Sequence, residues 1–169
     1  PEILFRDYIF TTSSSAGLVA HFRSYAIDII KELVIAPGSL VVEIGSNDGT
    51  LLKFFQEANM RVVGIDPARD IAKQASNNGV QTIPEYFGPK LSAQIQKEHG
   101  QAKLIVANNV YAHADELGEL TEGIVTLLDT DGVFVFEVSY LMDIIDQFVF
   151  DTVYHEHLSY HSVTPFVQF

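Results

Sequence analysis

The chain contains no cysteine. Disulfide frameworks and thiolate metal sites are therefore excluded from these residues, and a reducing cytoplasm is the expected setting. Basic residues are scarce: 10 Lys and Arg stand against 22 Asp and Glu, a formal net charge of −12. A field of that sign repels polyanions and argues against nucleic-acid binding. No run of about eighteen apolar residues occurs, so no membrane-spanning helix is expected. Pro1-Glu2-Ile3-Leu4-Phe5 lacks the basic, apolar and small-residue sections of a signal peptide. It also lacks a starting Met, and the chain is expected to be part of a longer protein. There is no internal repeat, no low-complexity tract and no G-x-x-x-x-G-K-[ST] loop for ATP hydrolysis.

What is present is one domain's worth of chain: 169 residues, 47% hydrophobic and 19% charged. Thr11-Thr12-Ser13-Ser14-Ser15 reads as a helix start, because serine oxygens accept the orphan amide hydrogens of a first turn. Apolar residues at Leu18, Phe22, Tyr25, Ala26, Ile29, Ile30 and Leu33 fall at gaps of three and four, one buried helix face. Ala36-Pro37-Gly38 ends it. Short β-rich runs then alternate with helices. Strands are expected at 39–44, 61–66, 80–83, 103–107 and 133–138. Helices are expected at 50–58, 68–78, 91–99 and 115–128, with Gly79 as a C-terminal cap and Asp131-Gly132 turning into the last strand. This alternation indicates a mostly parallel sheet covered on both faces, a doubly wound, Rossmann-like α/β fold. The domain divides into a helical segment (1–36), the core (37–138) and a segment leading onward (139–169). No further strand follows Tyr160, and the sheet is expected to continue beyond the chain.

In such sheets ligands bind beyond the carboxyl ends of the strands. The first such end is Glu43-Ile44-Gly45-Ser46-Asn47-Asp48-Gly49. Gly45 and Gly49 permit a tight turn and a close approach of backbone to ligand. Asp66 ends the second strand about twenty residues after the first glycine, where an acid binds ribose hydroxyls. A dinucleotide loop, G-x-G-x-x-G, would need glycines at positions occupied by Asn47 and Thr50. An acid followed by x-G-x-G-x-G, the loop of S-adenosylmethionine-dependent methyltransferases, matches at Glu43, Gly45 and Gly49. Only the middle glycine departs, and Asn47 is the non-glycine type that best tolerates positive φ.

The segment Val41-Val42-Glu43-Ile44-Gly45-Ser46-Asn47-Asp48-Gly49-Thr50-Leu51-Leu52 resembles the cofactor loop of the sugar C-methyltransferases. These enzymes methylate carbon on nucleotide-linked deoxy-keto-sugars. Phe5-Arg6-Asp7-Tyr8 and Ala107-Asn108-Asn109-Val110-Tyr111-Ala112-His113 also resemble them. So does Phe150-Asp151-Thr152-Val153-Tyr154-His155-Glu156-His157-Leu158-Ser159-Tyr160, the most specific of the four. The resemblance covers essentially the whole chain. It implies a class I methyltransferase fold, S-adenosylmethionine as cofactor and a role in deoxysugar biosynthesis. It further implies a larger parent enzyme with an N-terminal zinc-binding domain and a C-terminal α/β domain.

Forming a carbon–carbon bond needs a carbon nucleophile. A base must remove a proton beside a ketone, and donors must hold the enolate oxygen. The resemblance places active-site groups at Tyr8, Tyr154, Glu156 and His157. His157 suits the base, since an unperturbed imidazole titrates near about 6.5. Glu156 either orients it or is itself the base, and sequence order leaves both open. Tyr8 and Tyr154 would position the sugar and its keto oxygen. Cofactor contacts are expected from Glu43, Gly45, Ser46, Asn47, Gly49 and Asp66, and from Asn108 or Asn109 after the fourth strand. Glu85, Tyr86 and Phe87 would border the adenine, and Ser13 and His21 would face the cofactor. His157 and His161 are four apart and would share a helix face, yet H-E-x-x-H is absent and no metal is expected here. The alternatives are methyl transfer to oxygen or nitrogen, and a non-catalytic binding module.

Overall fold

The computed structural model describes residues Phe5, Arg6 and 8–168; Asp7 of the resemblance motif lies outside the described residues. Five strands form one sheet: β1 (Leu40–Ile44), β2 (Arg61–Ile65), β3 (Thr82–Ile83), β4 (Ala102–Asn108) and β5 (Leu128–Glu137). Their spatial order is β3-β2-β1-β4-β5, and every pairing is parallel. The helices are α1 (Ala16–Glu32), α2 (Thr50–Glu57), α3 (Arg69–Asn77), α4 (Pro89–His99), α5 (Leu117–Leu127), α6 (Leu141–Asp146) and α7 (Val163–Gln168). The result is a Rossmann-like α/β fold.

Period-two alternation assigns each strand residue to one of two cores. Val42, Ile44, Val63, Ile65, Ile105 and Ala107 face Leu91 and Ile95 of α4 and Leu120, Ile124 and Leu127 of α5. Val41, Val62, Leu104 and Val106 face Phe22, Ala26 and Ile29 of α1 and Leu51, Leu52 and Phe55 of α2. Both sheet faces are thus buried, which is why the strands read as continuous apolar runs. The serine tract behaves as a helix start. Thr12–Ser14 make a 3₁₀ turn, and Ser15 caps α1 by accepting a hydrogen bond from the Leu18 amide.

Three expectations fail in detail. The helix expected to reach residue 128 stops at Leu127, and β5 begins at once. Asp131-Gly132 is not a turn into the strand but a bulge inside it, where the β4–β5 register shifts between Ala102 and Leu104. A Cβ on Gly132 would lie 2.8 Å from the Ala102 carbonyl oxygen, so only glycine allows the two backbones this close. The third strand is also shorter than expected, because the Val80 amide donates back to the Ala75 carbonyl at the end of α3 and only Thr82 and Ile83 pair with β2.

The strand order reverses between β1 and β4, opening a crevice at their carboxyl ends. Gly64 of β2 makes room for the loop after β1. A Cβ there would sit 2.5 Å from the Ser46 hydroxyl and 2.8 Å from the Thr82 hydroxyl. Gly64→Ala should therefore destabilise the domain by about 1–3 kcal/mol through overpacking. Urea denaturation checks this, and an unchanged midpoint would show that the loop yields freely.

Candidate active site

The carboxyl ends of β1, β2 and β4 open onto a cleft of about 690 Å³. Of the expected cofactor residues, Glu43, Gly45, Ser46, Asn47, Asp66, Asn108 and Asn109 line it. Tyr8, Tyr154, Glu156 and His157 line it too, as do Glu85, Tyr86 and Phe87. Gly49 does not. Its left-handed φ of 77° starts α2, and a Cβ there would strike Val80 at 2.9 Å, so its role is to let the loop pack down.

The loop after β1 is built on Asp66. One carboxylate oxygen accepts from the Asn47 amide at 2.8 Å, and the other accepts from the Ala68 amide at 2.9 Å. Gly45 takes a φ of 72° and passes so near Val110 that a Cβ would fall 2.7 Å from its methyl. Asn47 takes a φ of 49°, the left-handed conformation its type tolerates. Its side chain turns away from the loop. The amide oxygen accepts from the Thr12 amide (2.8 Å), and the amide nitrogen donates to the Phe10 carbonyl (2.9 Å). Asp48 accepts from the Ser13 amide at 2.9 Å with one oxygen and caps α2 through Thr50 with the other.

Three buried polar atoms around this loop have no protein partner: Glu43 Oε2, Ser46 Oγ and Asn108 Nδ2. Asn108 is oriented by the Tyr25 hydroxyl, which donates to its side-chain oxygen at 3.1 Å. Unpaired buried polar groups are costly and mark places where a ligand completes the hydrogen bonding. The set offers an acceptor at Glu43 and a donor at Asn108, which suits a ligand carrying an amino acid's ammonium and carboxylate. Burial pushes the Glu43 carboxyl well above its ordinary value, and the nearby Asp66 and Asp48 push it further. Asp66 is also raised by burial, partly offset by its two backbone donors. Seven carboxylates line the cleft, and no Lys or Arg lines it among the described residues.

The other wall carries imidazoles and phenols. The His157 ring nitrogen Nδ1 donates to the Thr152 carbonyl at 2.8 Å, which leaves Nε2 as the ring's free acceptor. The expectation that Glu156 orients His157 is not met: the main chain of Thr152 does so. Glu156 instead offers its own carbonyl to His113 Nδ1 at 2.7 Å. The rings of His113 and His157 lie 5.0 Å apart, and Tyr154 lies 4.4 Å from His157. Burial lowers the His113 pKa, and the neighbouring His157 adds to that against the opposing pull of Glu156. Burial raises the Tyr8 and Tyr154 hydroxyls, and Glu156 raises both further. Both phenols are therefore protonated donors at neutral pH.

Other expectations need correction. Ser13 and His21 do not line the cleft. Ser13 is tied to Asp48, and His21 pairs with Glu137 at the end of β5 at 2.9 Å. His157 and His161 share no helix, since the segment between them is irregular, and His161 meets Ser159 instead. Among the described residues no three His, Cys, Asp or Glu side chains are grouped to hold a metal. Phe10, Thr12 and His113 also line the cleft, although sequence reasoning assigns Phe10 no role, Thr12 only a place in a helix start and His113 only a place in the family-like segment after the fourth strand. Only His113 had a signal, its place just after β4.

A family profile described as a methyltransferase domain matches residues 19–166. The chain belongs to this family of methyltransferase domains. The domain is 38% identical over 163 residues to the C-methyltransferase NovU of Streptomyces niveus. That match takes in 96% of the chain but only 39% of the relative's length. Solved structures share the fold at lower identity. Magnesium protoporphyrin IX methyltransferase of Synechocystis PCC 6803, with bound SAH, superposes with a TM-score of 0.65 at 15% identity, over 90% of this chain and 70% of that one. The YcgJ protein of Bacillus subtilis superposes with a TM-score of 0.66 at 14% identity, over 88% and 65% of the two chains.

The raised Glu43 carboxyl has a consequence for stability. An acid whose pKa is higher in the folded state binds protons more readily there. Its contribution is full below the unfolded value and is lost as pH rises through the folded one. Glu43→Gln should therefore match the wild-type melting temperature near pH 4 and exceed it by about 3 °C near pH 8, the shift that ~1 kcal/mol brings to a domain of this size. A variant less stable than wild type at pH 8 would mean that the Glu43 charge is compensated in the fold.

Proposed function

We propose that this domain is the cofactor-binding core of an enzyme that transfers a methyl group from S-adenosylmethionine to a carbon beside a ketone. The acceptor we infer is a nucleotide-linked deoxy-keto-sugar. The observation that carries this reading is the pairing, in one cleft, of an acidic cofactor half with a base and two phenols. Glu43, Asp66 and the unpaired Asn108 amide stand on one side, and His157, Tyr154 and Tyr8 on the other. S-adenosylmethionine, when bound, supplies an electrophilic methyl carbon on a positively charged sulfur. A cleft with seven carboxylates and no lining Lys or Arg favours such a cation and disfavours the diphosphate of a dinucleotide.

In this reading Asp66 receives the ribose hydroxyls, Gly45 and Ser46 approach the cofactor through the loop, and Asn108 or Asn109 meets its methionine end. His157 takes the proton from the acceptor carbon at Nε2, because Nδ1 is committed to the Thr152 carbonyl. Tyr154 and Tyr8 donate to the oxygen on which the enolate charge builds. Glu156, which touches neither ring nitrogen of His157, remains the second candidate for the base. Contacts to the substrate diphosphate would come from outside these residues, in line with the relative's greater length.

Calorimetric titration with S-adenosylhomocysteine, with NADH as control, tests the cofactor half. We expect binding of the first alone, abolished by Asp66→Ala. A cooperatively melting chain that S-adenosylhomocysteine neither binds nor stabilises would overturn the reading. In the full-length enzyme, His157→Ala should slow methyl transfer by about 10²–10⁴-fold. Wash-in of deuterium at the acceptor's α-carbon, measured without S-adenosylmethionine, should vanish with it. Exchange that persists in His157→Ala and is lost in Glu156→Gln would move the base to Glu156.

A further inference from the structure

The residue that breaks the glycine pattern ties two halves of the site together. Asn47 holds a φ of 49°, which glycine would adopt at less cost. Its side chain spends all its main hydrogen-bonding capacity elsewhere. Oδ1 accepts from both the Thr12 amide (2.8 Å) and the Thr12 hydroxyl (3.3 Å), and Nδ2 donates to the Phe10 carbonyl at 2.9 Å. The next residue, Asp48, accepts from the Ser13 amide at 2.9 Å. These contacts bridge 35 to 37 residues of chain.

The segment they hold, residues 8–14, pairs with no strand. It also makes the bonds of its own turn, Ser14 to Thr11 and Ser15 to Thr12, and the Ser13 side chain adds a second bond to Asp48. Yet it forms a wall of the cleft, through Tyr8, Phe10 and Thr12. The Tyr8 and Phe10 rings contact each other at 6.5 Å, so the residue anchored to Asn47 also braces the phenol. Meanwhile the Asn47 main-chain amide donates to Asp66, the acid expected to hold ribose. A glycine at this position would make that loop but lose the bonds to Phe10 and Thr12, leaving the segment tied to the loop through Asp48 and Ser13.

We propose that Asn47 is a positioning residue, serving the cofactor loop with its main chain while its side chain fastens the segment that carries Tyr8 against the cleft. The inference rests on the methyl-transfer reading for the role of Tyr8, and on hydrogen bonds alone for the anchor. The cofactor loop and the acceptor side are then linked through the Asn47 carboxamide, beside the Asp48–Ser13 bond, and the segment cannot take its place unless the loop is formed.

Two variants test this. Asn47→Gly removes the anchor without backbone strain. Thr12→Pro removes the donated amide from the other side; Thr11, with φ −115° and ψ 131°, already has the extended conformation proline demands of its predecessor. In hydrogen–deuterium exchange on this chain, Ser13 in both variants, and Thr12 in Asn47→Gly, should exchange at least about tenfold faster than in wild type. In the full-length enzyme, Thr12→Pro should raise KM for a keto-deoxysugar nucleotide, or lower kcat, by about tenfold. Its affinity for S-adenosylhomocysteine should fall by less than the acceptor kinetics do, because the Asn47 main-chain amide still donates to Asp66. Exchange unchanged in both variants would overturn the anchor. Acceptor kinetics unchanged in Thr12→Pro, or cofactor affinity falling in step with them, would overturn the positioning role. If wild type fails to bind S-adenosylhomocysteine, the methyl-transfer reading falls, while the exchange comparison still decides the anchor.

Discussion

The site depends on Asp66 being held from both sides by backbone. Its oxygens accept from Asn47 and Ala68, and these two bonds fix where the loop after β1 and the start of α3 meet. A carboxylate almost removed from water is expensive, and here two neighbours, Glu43 and Asp48, are buried beside it. The three are satisfied unequally. Asp48 has enough donors to pull its pKa below the ordinary value, whereas Glu43 keeps an oxygen with no hydrogen-bond partner among the described residues. A stability-driven core would not keep such an atom. A group that breaks a local rule without compensation inside the fold is where a ligand is expected to supply it.

Glycines make this crowding possible from two directions. Gly45 bends the chain against Val110, and Gly64 lets the adjacent strand pass under Ser46. The middle glycine of the loop pattern is replaced here by Asn47, which reaches out of the loop. The main chain of the loop thus serves Asp66 while the Asn47 and Asp48 side chains are spent on a segment 35 residues away. On the opposite wall the main chain again does the orienting: the Thr152 and Glu156 carbonyls fix the tautomers of His157 and His113. Neither imidazole takes its orientation from a side-chain carboxylate.

The order of strands and helices was legible because both faces of the sheet are buried and each crossover helix has one apolar stripe. The loop was legible for the same kind of reason: Gly45 and Asn47 are residue types that left-handed turns demand. Other features leave no trace of that sort. Asp131-Gly132 looks like a turn in sequence, and its use as a bulge depends on an approach to Ala102 that only the paired strand reveals. Periodicity finds the buried face of α1 but not which strand end lies above its other face, so His21 was placed at the cofactor when it meets Glu137. Adjacency suggested that Glu156 orients His157. Neighbouring side chains in an irregular segment diverge, and a main-chain carbonyl such as that of Thr152 has no sequence signature. The anchoring of Thr12 is invisible for a further reason: its partner lies across the chain and its contribution is an amide that every residue but proline has.

Charge ties the cleft to its proposed chemistry. Surplus acid in the whole chain is concentrated where a ligand would bind, and in a partly desolvated cleft each carboxylate acts over a longer range than in water. For the proposed cofactor this favours the form that bears a positively charged sulfur over the product, which has lost that charge with the methyl group. The same field that gathers the reactant thus weakens the hold on the spent cofactor, and exchange of one for the other needs no separate device. The field also opposes any diphosphate brought near the base. A nucleotide-linked acceptor must then present its sugar to His157 with its phosphates directed away from the seven carboxylates, toward cations that these residues do not supply.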